Sequence, residues 1–192
     1  MPRPKEFDET EVLDRALELF RAQGFKQTSF DDLTRELEVS RQSLYDTYGD
    51  KSTLFHATLR RYLAGGLERM SLTLDNPAPV REVIAGLFEG IISANSTKNH
   101  AGCLMVNTMV ELSPHDPEIR QMAAAHQRAI EGLLAGRLTA AQRQGEIAAD
   151  RDPAALARFY YHLILGLAVA VRAFGEPESL RSSVQLALES LG

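Results

Sequence analysis

Apolar residues in this chain recur at steps of three and four, and no stretch alternates apolar with polar for long enough to make a strand. That periodicity excludes a sheet and predicts an all-α protein whose shape depends on where its helices stop. Asp8 caps the first helix, with Glu11 as its capping-box partner, and Val12, Leu13, Ala16, Leu17, Leu19 and Phe20 form its apolar side. Gly24 then supplies a left-handed stop. Ser29 caps a short helix carrying Phe30, Leu33 and Leu37, and Ser40 caps another with Leu44, Tyr45 and Tyr48. Gly49 breaks it, and Asp50 opens a longer helix through Leu54, Phe55, Leu59, Tyr62 and Leu63.

The prolines of "DNPAP" (75–79) are the first strong breaker, because proline cannot sit inside a helix. Beyond them the pattern predicts a helix over 80–94, a polar loop "NSTKNHAG", a short helix in "CLMVNTMVEL" and a stop at "SPHDP". A long helix follows from Pro117 to about Gln144, another starts at Asp152-Pro153, and the last starts at Pro177 with Leu180, Val184, Leu188 and Leu191 as its stripe. The total is nine helices.

Composition removes several function classes. With 44% hydrophobic and 24% charged residues in 192, the chain reads as globular. No apolar run approaches the roughly 20 residues of a membrane span. The N-terminus "MPRPKEFDET" has early cations but no apolar run behind them, so no secretory signal is expected there. A single cysteine fits a reducing cytoplasm. The net charge of −5 argues against a nonspecific nucleic-acid coat, so contact with DNA has to come from local placement of cations. No phosphate-cradling Gly-rich loop, H-E-x-x-H or G-x-S-x-G is present, and no enzyme is predicted.

The second and third helices, joined by a tight turn and packed on the first, have the layout of a helix-turn-helix. Leu33, Leu37, Val39 and Leu44 would set the angle between them. The later helix would enter a major groove about 12 Å wide and read it from its first turn, where Arg41, Gln42 and Ser43 stand. Arg forks onto guanine O6 and N7, and Gln onto adenine N6 and N7. Tyr45 and Tyr48 are expected to donate hydroxyls to phosphate, and Lys51, Thr28 and Ser29 to meet the backbone from helix starts. The acidic pair Asp31-Asp32 is expected to tune a helix N-terminus. Between Met1 and Tyr62 ten Lys/Arg stand against twelve Asp/Glu, so the segment is not basic, but several of the acids lie on the first helix, whose outer face can point away from DNA.

The run "TSFDDLTRELEVSRQSLYDTYGDKSTLF", after "LELFRAQGF", resembles the N-terminal domain of the TetR (tetracycline-repressor) family of bacterial regulators. Phe20, Gly24, Thr28, Ser29, Leu33, Val39, Ser40, Leu44, Tyr45, Tyr48, Lys51 and Leu54 carry the likeness. Three positions depart from it: Glu38 replaces a turn glycine, Gln42 a common glycine, and Thr47 a frequent tyrosine or histidine. The resemblance implies a nine-helix, two-domain regulator. Residues 1–50 would form a three-helix DNA-binding head, and residues 51–192 an effector-binding and dimerisation domain. It also implies a homodimeric repressor on a palindromic double-stranded operator, without a cofactor, that a small-molecule effector releases.

A dimer surface is expected from "HLILGLAVAVRAF" and the last helix, where Ser183 and Ala187 flank the stripe; completion of the monomer core is the competing reading. Effector candidates are polar groups in apolar company, namely Asn107, His126, Tyr161 and His162, together with Phe88, Ile92, Cys103 and Met122. For each, an ordinary core role competes with ligand contact. Cys103 opens the sixth helix, where thiolate chemistry is favoured; it reads either as an oxidant or electrophile sensor or as a small buried hydrophobe. His100, Cys103 and His115 do not make a zinc pattern, and no metal is predicted.

Overall fold

The computed structural model describes residues 7–95, 102–174 and 176–192. Among the described residues the chain is all-α, with no strand. Its helices are α1 (Glu9–Gln23), α2 (Phe30–Leu37), α3 (Arg41–Tyr48), α4 (Lys51–Leu74), α5 (Val80–Asn95), α6 (Leu104–Glu111), α7 (Pro117–Arg143), α8 (Pro153–Phe174) and α9 (Pro177–Leu188), and a short 3₁₀ turn ends the chain at Glu189–Leu191.

The expected caps hold these boundaries. Asp8 accepts from Thr10 N–H, Ser40 from Ser43 N–H and Asp50 from Thr53 N–H, while Asp116, not among the expected caps, accepts from Glu118 and Ile119 N–H. The reciprocal capping box forms at Ser29 and Asp32, on α2, and not between Asp8 and Glu11. There Ser29 and Arg35 together hold the Asp32 carboxyl down at about 2. Each such cap stabilises by about 1 kcal/mol, which matters most for α2 and α3, each of only eight residues.

Two apolar clusters organise the packing. The first gathers Val12, Ala16 and Phe20 of α1, Leu33 and Leu37 of α2, Leu44 of α3, and Leu54, Phe55, Leu59 and Leu63 of α4. It also takes in Leu104, Met105 and Leu112 around α6, and Ile119 of α7. Phe20, Phe25 and Phe55 meet at its centre, with ring centroids 4.9 Å apart for two of the three pairs. The second cluster joins Leu74 to α5, α7, α8 and α9 around Phe88 and Tyr160, whose rings meet edge to face at 5.6 Å. Helix α4 belongs to both, so the apolar packing of the three-helix head continues through α4 into the body.

Helix α8 departs from the composition reading, because it is long and apolar enough to match a membrane span by those measures alone. The excess has a packing explanation. One side of α8 buries Leu156, Tyr160, Tyr161, Leu167 and Val171, while Phe159, Val169 and Phe174 stand exposed on the other. On α9 Leu186 and Ser183 are exposed, whereas Ala187 is buried in the core.

Candidate nucleic-acid interface

The first turn of α3 faces solvent: Arg41, Gln42, Tyr45 and Asp46 are exposed, Ser43 is half-buried, and Leu44 is fully buried behind them. Leu44 and Leu33 anchor α3 on α2, burial of each stabilising by about 1.5–3 kcal/mol. The turn between them runs through Glu38 at φ 56°, ψ 32°, in left-handed backbone usually reserved for glycine. Arg15 of α1 donates to Glu38 Oε2 at 3.2 Å and to the Leu37 carbonyl at 3.4 Å, bracing that turn.

The expected readers already have partners. Arg41 Nη1 donates to Asp31 Oδ1 at 2.6 Å, and Gln42 Nε2 donates to Asp46 Oδ1 at 2.7 Å. The Tyr45 ring stacks on Phe30 at 4.5 Å and 16°, and the Arg41 guanidinium lies 5.2 Å and 5.7 Å from the two ring centres. Phe30 and Asp31 are the first two residues of α2, and Arg41 and Tyr45 sit one turn apart on α3, so this shelf spans both helices. The i,i+4 spacing of Arg41 and Tyr45 was a visible sign of it; the partners on α2 were not.

Three residues expected at phosphates face inward. Thr28 is fully buried and donates to the Gly24 carbonyl at 2.7 Å. Lys51 directs its ammonium to the carbonyls of Phe25 and Thr28, 2.9 Å each, and rests 4.3 Å from the Phe25 ring centre. The Tyr48 hydroxyl is buried without a partner, and burial pushes its pKa up. For Thr28 and Lys51 the reason is shared: the corner between α1 and α2 leaves backbone carbonyls that need donors, and the start of α4 packs directly on it. Tyr48 turns in because its ring packs on the first apolar cluster. Ser29 spends its hydroxyl on Asp32, while its helix start stays at the surface.

The effector candidates do not form one site. Phe88 and Ile92 are wholly inside the second cluster, and Met122 packs on the first. His162 is exposed on α8, and Asn107 lines an open groove of about 420 Å³ with Val110, Val169 and Arg172. Cys103 is hydrogen-bonded to Tyr62, and its electrostatic influence reaches Tyr161. Tyr62 of α4 donates its hydroxyl to Cys103 Sγ at 3.5 Å, and the Tyr62 pKa is pushed up, mainly by burial and further by the sulfur. Tyr161 is likewise pushed up by burial, with Glu131 and Cys103 adding to it. Tyr62 of α4 thus meets Cys103 at the start of α6, and Glu131 of α7 acts electrostatically on Tyr161 of α8; neither Tyr62 nor Glu131 had been singled out as a ligand residue. His126 carries a buried Nδ1 without a partner, and burial lowers its pKa. Gly102, at φ 68°, leads into this region; a Cβ there would stand 2.9 Å from the Arg172 side chain. His100 lies outside the described residues, and among those described no group of His, Cys, Asp and Glu could hold a metal.

A slim, exposed helix on a braced three-helix head, continued by α4 into a helical body, defines a helix-turn-helix regulator. Residues 12–58 match the model described as bacterial regulatory proteins, tetR family, and residues 79–187 match the tetracyclin repressor-like C-terminal domain. The chain belongs to the TetR family of bacterial transcriptional regulators. It is 35% identical over 193 residues to the uncharacterized HTH-type transcriptional regulator YezE of Bacillus subtilis (strain 168), covering all of both chains. It is 31% identical over 187 residues to the HTH-type transcriptional repressor ComR of Escherichia coli (strain K12), covering 96% of this chain and 88% of ComR. A cysteine mutant of the TetR-family regulator CifR, solved with 26-base-pair double-strand operator DNA, matches with a TM-score of 0.86 at 29% identity, covering 99% of this chain and 100% of that one.

Proposed function

We propose that the chain is a homodimeric cytoplasmic repressor that reads a palindromic operator through α3 and leaves it when a small molecule binds in the body. The observation that carries the reading is the exposed first turn of α3, with Arg41 and Gln42 presented to solvent while Leu44 locks the helix from behind. Arg41, Gln42, Ser43 and Tyr45 are the base and backbone contacts. The helix starts at Ser29 and Lys51 offer backbone N–H groups to phosphate, since the Lys51 ammonium serves the α1–α2 corner. The head corresponds to residues 1–50 and the effector and dimer domain to 51–192, with α4 as the lever between them. The likeness to CifR, solved with its operator, and to the repressor ComR supports this assignment.

The dimer forms through α8 and α9. Phe159, His162, Gly166, Val169 and Ala173 are all exposed and follow one another at helical spacing along α8, and Leu186 extends the face onto α9. His162 therefore belongs to this seam and not to the effector site. The effector binds beside Cys103, Tyr161 and His126, next to Tyr62 of α4, so that ligand contact there tilts the lever. A coupling of about 1–3 kcal/mol, roughly 5–150-fold in affinity, is enough to cut the occupancy of a half-saturated operator markedly.

Footprinting on the DNA upstream of the chain's own gene, with light scattering on the free protein, tests both parts. The expected outcome is a dimer protecting two half-sites about 34–36 Å apart. A monomer, or protection of one half-site only, contradicts the reading. Sensing through Cys103 is a second reading, supported by its place at the α6 cap in contact with Tyr62. A Cys103→Ser variant that still releases DNA fully on peroxide or electrophile treatment would eliminate it.

A further inference from the structure

The contact between Arg41 and Asp31 is difficult to explain by stability or by affinity. Both side chains are solvent-exposed, 56% and 82%, so the pair adds little to folding. A carboxylate at the edge of a DNA-facing surface also repels phosphate. Yet the oxygen-to-nitrogen distance is 2.6 Å, and the guanidinium is held against the stacked rings of Phe30 and Tyr45 at the same time. Two constraints from α2 act on one side chain of α3.

A free arginine at this position would find phosphate at every register, because phosphate lies along the whole duplex and base edges do not. Pairing with Asp31 cancels most of its charge toward phosphate. The planar fork keeps its remaining N–H edge, which is the part that matches guanine O6 and N7. We propose that Asp31 is a positioning residue for sequence recognition: it holds Arg41 on the Phe30–Tyr45 shelf in one orientation, lowering attraction to arbitrary DNA and confining the fork to one base pair. This inference rests on the reading of α3 as the recognition helix. Asp31 does not contact a base; it acts through Arg41.

The test uses the full chain as wild type, Asp31→Asn, Arg41→Ala and the double variant, each put through selection from random duplexes. Dissociation constants on the selected and on a scrambled duplex, at two salt concentrations, follow. Wild type is expected to enrich a symmetric site. Asp31→Asn should bind the scrambled duplex several-fold more tightly with a steeper salt dependence, and the ratio of specific to nonspecific affinity should fall about tenfold, the scale of one bidentate contact. The loss of preference should fall on the base pair that Arg41→Ala also flattens, and Asp31→Asn should change preference no further in the Arg41→Ala background. Asp31→Glu, which keeps the charge, should restore part of the discrimination. Unchanged base preferences in Asp31→Asn, or a loss at positions indifferent to Arg41, would overturn the proposal while leaving DNA recognition standing. Failure of wild type to enrich any sequence would overturn the reading of α3 and this inference with it.

Discussion

Glu38 and His126 show two opposite ways in which a residue can be mismatched to its site. Glu38 occupies left-handed backbone at a cost of about 1–2 kcal/mol for a residue with a Cβ, partly offset by its exposed contact with Arg15. Replacing it by glycine relieves the strain but frees the unfolded chain, which returns about 0.4–1 kcal/mol. Glu38→Gly is therefore expected to stabilise by about 0.5 kcal/mol, visible as a rise of ~1–2 °C in thermal midpoint. A fall would show that the Arg15 brace outweighs the strain. At His126 the mismatch is electrostatic, since a proton on Nδ1 would have no acceptor and burial depresses the pKa from 6.5. With the folded value below the unfolded one, its contribution is complete above about 6.5 and is lost as pH falls through the folded value. In urea melts, His126→Leu should gain on wild type more at pH 5 than at pH 8; an equal difference at both would remove the titration from the account.

At the scale of elements, the corner between α1 and α2 explains why α4 starts where it does. Lys51 satisfies two loop carbonyls and covers the Phe25 ring, so the first residue of α4 is bonded to the head. Lys51→Met keeps the stem and strands those carbonyls, and should cost about 1–3 kcal/mol in urea unfolding. A purely phosphate-binding lysine would leave stability unchanged and lower only DNA affinity, so the two roles separate cleanly. A second tie reaches the same corner from the body. Glu111, at the end of α6, accepts from Lys26 N–H at 3.3 Å, and His56 of α4 meets Asp116 at 3.0 Å and Glu118 at 2.9 Å at the start of α7. The head is thus attached to the body by α6 as well as by α4, and the start of α7 braces α4 just beyond the head.

Among the described residues an apolar face stands uncovered along α8, where Phe159 and Val169 are half exposed and Gly166 has open space around it. A second copy packed on this face would bury the stripe and let two α8 helices approach closely at the glycine. Val169→Asp should convert a dimer to a monomer in light scattering and weaken operator binding far more than a surface change elsewhere, since one head reads only half a site. A dimer that survives this change, and survives Leu186→Asp on α9, would place the interface on another face.

The helices, their caps and the helix-turn-helix were legible because they depend on neighbours in the chain. Asp8, Ser29, Ser40 and Asp50 each act on an N–H two or three residues away, and an apolar stripe states which side of a helix is buried. What such a stripe does not state is against which partner. Thr28, Tyr48 and Lys51 looked like phosphate contacts by position; Thr28 and Lys51 turned inward because the packing of α4 on a bend brought donors to carbonyls, and Tyr48 because its ring packs on the first apolar cluster. Phe30 and Asp31 passed as a core residue and a dipole charge until the crossing of α2 and α3 laid them under Arg41. The effector candidates divided between two cores and a surface because α6, α7 and α8 each face more than one neighbour. Local hydrogen bonds and periodicity were written in the order of the residues; the orientation of the reading side chains came from helix crossings, which are set by side chains far apart in the chain and so exist only once it is folded.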